Sequence, residues 1–278
     1  MYIDTRSKDR MEQSVCALLN ITPDMLYGEL LRIGRQVGND YDSYTNQLEI
    51  FIGEHFPKSL PDEVLFFHLS RRLKETEDDA VGHNLLHMLT TDNPFSSFLK
   101  KHDIEFQKGE NHIEVFNRGK LVNWDKCWSG NSSYMQWRLG YFKGREDFCF
   151  NGFAFKDLLY KNEYARSLSG VPEFLGQLIA CLERPEIGYA YMKQSSYYCY
   201  EYLIPFGRVM FDEHEEYSLG LKQRYLIRCV IERLDKYENS NVRYMYDDDN
   251  PVLRLKDDDT LESAFCITKE TITADMLG

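Results

Sequence analysis

The spacing of apolar residues predicts that the N-terminal part of the chain is helical. Between residues 8 and 57, apolar side chains recur at intervals of three and four residues. Examples are Val15, Leu18, Leu19, Leu26, Leu30, Leu31 and Ile33. Such spacing places the apolar side chains on one face of an α-helix. We therefore expect two or three short helices packed on a larger body, with the last one ending near Phe56–Pro57.

After Pro61 the pattern changes to a mixture of strands and helices. The apolar run Val64–Leu69 predicts a buried strand. Asn93 and Pro94 are typical of the N-cap and first position of a helix, and Pro172 predicts the start of another helix, PEFLGQLIACLE. A further helical stretch is expected around Asn84–Leu89. The segments IEF, HIEVF and KLVNW predict three strands joined by turns.

The second half of the chain predicts further strands and one long helix. Residues 129–147 are polar and contain glycine, so they are predicted to form loops, and Phe148–Phe150 is predicted to be a short strand. The segments GYAYMK and YYCYEYLIP predict a β-hairpin around Gln194–Ser196. A strand at Arg208–Phe211 and a helix near Leu219–Leu234 follow. The pattern as a whole predicts an α+β protein with a helical segment at 1–60, a core at 61–212 and an extension at 213–278.

Composition limits the classes of protein that the chain can belong to. The 278 residues include 14% aromatic side chains and carry a net charge of −12, which disfavours nonspecific binding to nucleic acids or anionic membranes. The seven cysteines are scattered and contain no CxxC pair, so we expect free thiols in a reducing compartment. The N-terminus has no apolar signal core, and no apolar run approaches a membrane span. We therefore expect a cytoplasmic protein with no membrane partner.

Common catalytic motifs do not account for this sequence. It contains no P-loop, no GxGxxG, no HExxH and no GxSxG motif. His83 and His87 share a helical face, as metal ligands do, but no third ligand follows at a recognisable spacing. The acidic triplets at residues 247–249 and 257–259 lack the glycine and terminal glutamate of an EF-hand loop. We therefore expect solvated acidic turns and no bound metal.

Three short patterns contain the candidate chemistry. In YYCYEYLIP, strand alternation puts Glu201 on the face opposite Tyr200 and Tyr202, so we expect the rings in the core and the carboxylate in a cleft. His68 lies near the end of an apolar strand and is followed by a hydroxyl and two arginines in HLSRR. The third pattern is GFAF at 152–155, which continues to two tyrosines. Taken singly, the histidine and GFAF patterns also fit ordinary core packing, whereas a buried carboxylate needs partners.

In their order along the chain, these patterns resemble the ADP-ribosyltransferase family, and in particular its diphtheria-toxin and poly-ADP-ribose-polymerase branch. That branch has a strand ending in His-Gly-Ser or His-Gly-Thr, a Gly-aromatic-Tyr-Phe segment with a later tyrosine, and a glutamate on a strand. The matching segments here are His68–Leu69–Ser70–Arg71, Gly152–Phe153–Ala154–Phe155 with Tyr164, and Glu201–Pro205. Leu69 and Ala154 stand where the family has glycine and tyrosine. The resemblance extends over residues 62–212.

The resemblance implies an ADP-ribosyltransferase-like split β-sheet core that takes NAD⁺ as its substrate and needs no metal. Glu201 would hold a ribose hydroxyl and stabilise the oxocarbenium-like charge, and His68 would hold another hydroxyl. Ser70 would bind the carboxamide, and Arg71 or Arg72 the pyrophosphate. The residues implied to pack around the nicotinamide are Gly152, Phe153, Phe155, Tyr160 and Tyr164.

The implied activity is mono-ADP-ribosyl transfer to a macromolecule by a bacterial toxin or phage-defence effector, with a neutralising antitoxin as a possible partner. The acceptor is either protein or RNA/DNA. The acidic charge favours protein, whereas Trp137–Arg138 and Tyr141–Lys143 offer a local basic and aromatic groove for nucleic acid. Two alternatives stay open. One is an NAD⁺ hydrolase on the same fold, and the other is a non-catalytic interaction or inhibitor protein in which Glu201 is salt-bridged.

Overall fold

The computed structural model of the chain describes residues 1–57, 59–74, 80–144, 147–248 and 250–278, and all of Ser129 except its side chain. The stretch KETEDDAVG, which starts at Lys74, is rich in acidic residues and is predicted from the sequence to be a loop, and most of it lies outside the described residues. Asp249 of the first acidic triplet also lies outside them. The described part of the chain is a mixed α+β structure with antiparallel pairing in its sheets, which confirms the predicted fold class.

The α-helices are distributed along the whole described chain. They are α1 (Lys8–Leu19), α2 (Pro23–Val37), α3 (Tyr41–Glu54), α4 (Leu85–Thr90), α5 (Pro94–Lys101), α6 (Ser129–Arg138), α7 (Glu163–Ser167), α8 (Glu173–Cys181), α9 (Pro185–Gln194), α10 (Leu219–Asn239) and α11 (Ala274–Leu277). Short 3-10 turns occur at Trp124–Lys126, Leu159–Lys161, Phe206–Arg208, Val242–Met245 and Ser263–Phe265. Among the described residues, no helix has both the length and the apolar composition needed to cross a bilayer.

The strands form a six-stranded sheet and a three-stranded sheet. They are β1 (Glu63–Leu73), β2 (Ile104–Lys108), β3 (Ile113–Asn117), β4 (Lys120–Leu121), β5 (Asn151–Phe153), β6 (Ser195–Pro205), β7 (Met210–Phe211), β8 (Val252–Arg254) and β9 (Cys266–Thr271). The larger sheet has the order β7-β8-β5-β1-β6-β9, and the smaller one has the order β2-β3-β4. β1 and β6 are therefore neighbours, and they are the two strands on which the sequence places His68 and Glu201.

The N-terminal helices form as the apolar spacing predicts. Each begins at a residue whose side chain accepts a hydrogen bond from a backbone N–H of the first turn: Ser7 for α1, Thr22 for α2 and Asp40 for α3. The predicted Asn93–Pro94 start of α5 is also confirmed, with Ser96 completing a capping box. The helix after Pro172 and the helix that begins at Leu219 are confirmed as well.

Three local predictions are wrong. GYAYMK is not a hairpin strand but the C-terminal part of α9, because Pro185 starts a helix there and Tyr191 packs into a helical core. α6 occupies Ser129–Arg138, where a loop was predicted, and it buries Met135. The strand predicted at Phe148–Phe150 lies three residues later, at β5.

The C-terminal segment supplies strands that its composition did not predict. β8 lies next to β5 in the sheet order, and β9 pairs with β6 in antiparallel register, with Tyr200 opposite Lys269 and Glu201 opposite Thr268. The register shifts between Glu201 and Tyr202, which marks a β-bulge or similar irregularity. The segment therefore completes the sheet beside the candidate glutamate.

The chain divides into two compact units, each built from three segments. Unit 1 comprises Met1–Phe67, Phe153–Glu163 and Leu203–Leu253, and unit 2 comprises His68–Gly152, Tyr164–Tyr202 and Arg254–Gly278. Unit 1 contains a buried ion pair, in which Arg233 Nε donates to Asp157 Oδ2 at 2.9 Å. Unit 2 has an apolar core that includes Leu99, Leu175 and Tyr191.

Candidate functional site

A cavity of about 280 Å³ lies within unit 2, which places it near the lower end of the size range of small-molecule sites. β1 contributes five residues between His68 and Leu73 to its wall. The other lining residues come from α4, α5, α6, α8 and α9, from the N-cap positions of α5 and α8, from the segment before α4, and from the start of β5 with the two residues before it. The apolar lining residues are Leu73, Val81, Leu85, Met88, Pro94, Phe95, Phe150, Pro172, Phe174 and Leu175. The polar or ionisable ones are His68, Ser70, Arg71, Arg72, His83, Asn93, Arg138, Cys149, Asn151 and Tyr191.

Among the described residues of this lining, the charged side chains all have the same sign. They include three arginines and two histidines, and none of the described lining residues is an aspartate or glutamate. The chain as a whole has 45 acidic and 33 basic residues, so the lining reverses the balance of the protein. A low-dielectric wall with an excess of cations attracts anionic ligands and repels cationic ones.

His68 is held in a defined orientation by the backbone before β5. Its Nδ1 lies 2.7 Å from the carbonyl oxygen of Asn151, and its ring packs against Phe150 at 4.1 Å between centroids. Burial, reinforced by the positive charge of Arg72, lowers the pKa of His68 to about 3. The ring is therefore neutral near pH 7. Nδ1–H then donates to the Asn151 carbonyl, and Nε2 is left as a hydrogen-bond acceptor at the cavity wall.

Arg71 is anchored through neutral groups. Its Nε and Nη2 donate to the carbonyl oxygen of Ser169 at 2.9 and 2.7 Å, and its Nη1 donates to the carbonyl and hydroxyl oxygens of Ser195. Desolvation lowers the pKa of this guanidinium, although arginine stays charged at neutral pH. These hydrogen bonds fix the guanidinium in position without neutralising its charge.

Arg72 lies against the aromatic face of β6. Its guanidinium carbon is 4.2 Å from the ring centroid of Tyr200, and its Nη2 donates to the carbonyl oxygen of Val81 at 3.1 Å. The distance is well within the range of a cation–π interaction. Arg72 therefore adds a second fixed positive charge to the same stretch of wall as Arg71.

Arg138, on α6, is the third cation of the lining, and it has an acidic partner. Its Nη1 pairs with Asp147, whose other oxygen accepts from the thiol of Cys149 at 3.4 Å. Asp147, Cys149 and Asp257 bring ligand-type atoms within 4.8 Å of one another. Arg138 and Arg254 place a cation beside each carboxylate, and burial raises the pKa of the Cys149 thiol to about 12. A protonated thiol and paired carboxylates do not make a metal site, so we assign none to this cluster.

Glu201 is not among the residues that line the cavity. The residue is 3% exposed, and Tyr200, which precedes it on β6, faces His68 with ring centroids 6.5 Å apart. Because successive side chains of a strand point to opposite faces, the carboxylate of Glu201 lies on the face away from His68. The structure brings His68, Ser70 and Arg71 together and leaves Glu201 apart from them.

The five residues that the resemblance places around the nicotinamide are distributed over both units. Phe153, Phe155 and Tyr160 belong to unit 1, where Phe155 is 2% exposed and exchanges backbone hydrogen bonds with the side chain of Asn250. Gly152 is a buried residue of β5 in unit 2, and Tyr164 is a largely exposed residue of α7. None of these five residues is part of the cavity lining.

Sequence reasoning missed the contributions of the helices to the cavity. Arg138 lies in the segment predicted to be a loop, and Phe174, Leu175 and Tyr191 come from helices that the patterns alone do not connect to β1. The one sequence signal for this part of the cavity wall is the basic and aromatic pair Trp137–Arg138, which the sequence alone associates with a nucleic-acid groove.

Comparison of the chain with protein-family models, with curated proteins and with solved structures finds no match.

Proposed function

We propose that the chain binds NAD⁺ through the cavity of unit 2 and transfers ADP-ribose from it to a macromolecular acceptor. The observation that supports this function best is the grouping of His68, Ser70 and Arg71 in the wall of one cavity, in which the described charged residues are basic. A basic, partly apolar cavity suits a nucleotide with phosphates and a flat base. An ADP-ribosyltransferase-like split β-sheet core, a toxin or defence role and a neutralising partner belong to the same proposal.

Each part of the cavity wall has a counterpart in a dinucleotide. The acceptor Nε2 of His68 is suited to a ribose hydroxyl, which donates to it, and the hydroxyl of Ser70 offers a second polar contact. The guanidinium groups of Arg71 and Arg72 supply charge-assisted hydrogen bonds to phosphate. The apolar side chains of the wall accommodate a ring system.

The proposed chemistry also calls for a carboxylate near the ribose. Rupture of the bond to nicotinamide develops positive charge on the ribose, which a nearby carboxylate would stabilise. None of the described lining residues has a carboxylate, and Glu201 lies on the opposite face of the sheet from His68. That separation specifically favours the second candidate function, a non-catalytic nucleotide-binding or interaction protein.

The test is to incubate the full chain with NAD⁺ labelled in its adenylate phosphate, together with a cell lysate. We expect label in protein or nucleic acid with the wild type, and its loss with His68→Ala. Glu105→Gln, at an exposed position of β2, is the matched control and should retain the activity. Free labelled ADP-ribose would instead favour the hydrolase.

Binding of NAD⁺ without its consumption, measured by calorimetry in parallel, would favour the non-catalytic function. Neither binding nor consumption by a folded wild-type chain would overturn the NAD⁺ assignment altogether.

A further inference from the structure

We propose that Arg71 is a positioning residue of the cavity in unit 2, because it holds the segment 168–172, which leads into α8, against β1 and the start of β6. This inference rests on the proposed function for the identity of the ligand, NAD⁺, with which binding is measured. It goes further by giving Arg71 a role in the shape of the cavity wall, in addition to any contact that its charge makes with phosphate.

The guanidinium of Arg71 joins three parts of unit 2. Its Nε and Nη2 donate to the carbonyl oxygen of Ser169 at 2.9 and 2.7 Å, and its Nη1 donates to the carbonyl and hydroxyl oxygens of Ser195 at 3.1 and 3.3 Å. Arg71 lies on β1, Ser169 lies in the segment 168–172, and Ser195 begins β6. A guanidinium is planar and carries its donors in a fixed fork, so bonds to two partners fix the distance between them. Arg71 therefore sets where the segment lies relative to the two strands.

Arg71 and Arg72 leave β1 on opposite sides of the sheet, because successive side chains of a strand alternate. Arg72 lies on the ring of Tyr200, the ring that also faces His68. Arg71 extends to the other side and meets the first residue of β6 there. Both arginines line the cavity, whose wall thus includes residues from both sides of β1. The two arginines are therefore not interchangeable.

Tyr191, a lining residue from α9, closes this set of hydrogen bonds. Its hydroxyl donates to the carbonyl oxygen of Arg71 at 2.7 Å, and its carbonyl oxygen accepts from the hydroxyl of Ser195 at 2.6 Å. Tyr191 and Ser195 are each 3% exposed, so a bond lost here leaves a buried polar group unsatisfied. Arg71, Ser195 and Tyr191 therefore hold one another in place, and a displacement of Arg71 moves a second residue of the wall.

The start of α8 depends on the same contacts. Pro172 is the N-cap residue of α8, and a proline side chain has no atom that accepts a hydrogen bond from the first turn. The position of the helix start is therefore set by the segment 168–172. Pro172, Phe174 and Leu175 all line the cavity, so a shift of Ser169 is passed on to this part of the wall. A wall that is fixed before the ligand arrives reduces the cost of ordering it on binding.

The first test keeps the charge of Arg71 and removes its fork. Arg71→Lys retains a cation, but a single ammonium group cannot bond Ser169 and Ser195 in the same arrangement. We expect calorimetry to show NAD⁺ affinity at least about tenfold weaker than that of wild type, because several hydrogen bonds that order the wall are lost. Hydrogen–deuterium exchange of the free protein should become faster in residues 168–176. Wild-type affinity, or wild-type exchange in these residues, would overturn the inference.

A second variant tests whether the effect is passed through the hydrogen bonds, because Ser195 is itself outside the cavity lining. Ser195→Ala removes one bond to Arg71 and one to Tyr191, so NAD⁺ affinity should fall about two- to fivefold. If Arg71→Lys does not fold, as judged by circular dichroism, Ser195→Ala decides. Unchanged NAD⁺ affinity in Ser195→Ala would overturn the positioning role.

Thr5→Val is the matched control for loss of a buried hydroxyl. Thr5 is 1% exposed, and its hydroxyl donates to the carbonyl oxygen of Ala154 at 2.6 Å within unit 1. The substitution removes a hydrogen bond of the same kind as Ser195→Ala does, at a position outside the cavity lining, so NAD⁺ affinity should stay at the wild-type value. Equal losses of affinity in the two variants would trace the effect to general destabilisation and would also overturn the inference.

The two proposals fail separately. No NAD⁺ binding by the folded wild type would remove the proposed function, while faster exchange of residues 168–176 in Arg71→Lys would uphold the positioning role. NAD⁺ binding that Arg71→Lys and Ser195→Ala leave unchanged would uphold the ligand and remove the positioning role.

Discussion

The imidazole of His68 faces the phenol ring of Tyr200, with 6.5 Å between the ring centroids, so the two side chains share one face of the six-stranded sheet. Glu201, the next residue of β6, extends to the other face. The histidine and the glutamate that the ADP-ribosyltransferase resemblance assigns to one site are therefore on opposite sides of neighbouring strands. Their contributions can be separated by experiment.

Glu201 should contribute more to stability than to ligand binding. The residue is 3% exposed, so Glu201→Ala would remove buried packing and leave its partners unsatisfied. We expect a loss of about 2 to 4 kcal/mol in the free energy of unfolding, with a smaller loss for the isosteric Glu201→Gln. Urea denaturation measures the stabilities, and calorimetry with NAD⁺ should give unchanged affinity for Glu201→Gln. A stable Glu201→Gln chain that has lost NAD⁺ turnover would instead establish a catalytic role.

The stability of the protein should fall in acid partly because of His68. Its pKa is lowered from 6.5 to about 3 in the fold, so between these values the unfolded chain binds a proton that the folded chain does not. The contribution of His68 to the free energy of unfolding is therefore complete above pH 6.5. It is lost as the pH falls toward 3, by up to about 1.4 kcal/mol per pH unit. The free energies of unfolding of wild type and His68→Gln, measured from pH 7 to pH 4, should differ by an amount that changes with pH. Parallel profiles would contradict a His68 ring that stays neutral in the fold.

The ion pair of unit 1 should be sensitive to loss of one partner. Asp157 accepts hydrogen bonds from Arg233 at 2.9 Å and from the Tyr237 hydroxyl at 2.7 Å, and its side chain is 1% exposed. Arg233→Met would leave the carboxylate buried without its cation, at an expected loss of about 3 to 5 kcal/mol in unfolding free energy. Lys236→Met, which removes an exposed partner of Asp248, is the control and should lose less than about 1 kcal/mol. Similar losses of unfolding free energy for Arg233→Met and Lys236→Met would show that burial does not make the ion pair of Asp157 more important for stability.

Cys127 and Cys181, two free thiols of unit 2, lie close together, and we expect them to form a disulfide under oxidation. The Sγ of Cys127 lies 3.5 Å from the carbonyl oxygen of Cys181, and burial together with the hydrogen bond from Cys127 raises the pKa of Cys181 to about 12. Oxidised glutathione would accept the electrons and leave as reduced glutathione while the two sulfurs join. We expect the linked peptide in mass-spectrometric maps, formed faster as pH rises because the thiolate is the nucleophile. Its absence after prolonged oxidation, while other cysteines react, would show that the thiols cannot reach one another.

Local rules predicted most helices but fewer of the strands. Capping signals such as Asn93–Pro94 and the apolar spacing of residues 8–57 act within a few residues, so they are visible in one sequence. GYAYMK has strand-forming tyrosines, yet tertiary packing and the helix start at Pro185 override that preference. β9 owes its conformation to pairing with β6, far away in sequence, which no local pattern contains.

The candidate site was predictable only where it lies on one strand. His68, Ser70 and Arg71 share β1, so a single stretch of sequence identified them together. Arg138 and Tyr191 reach the same cavity from α6 and α9, and their proximity depends on packing between helices. Alternation predicts that Glu201 faces the side of the sheet opposite Tyr200, but which of the two faces holds the cavity follows from tertiary structure.

The interleaving of the two units has a consequence for synthesis on the ribosome. Each unit is assembled from three stretches of chain, and the last of these are residues 203–253 for unit 1 and 254–278 for unit 2. An N-terminal fragment ending before residue 203 therefore lacks part of both, and neither unit can reach its final set of contacts while the nascent chain is that short. Contacts between distant segments slow folding and prolong the exposure of unpaired strands. We expect a late, concerted folding step once the chain is nearly complete. Until β9 pairs with β6, the unpaired edge of β6 is the surface that most needs protection by a chaperone.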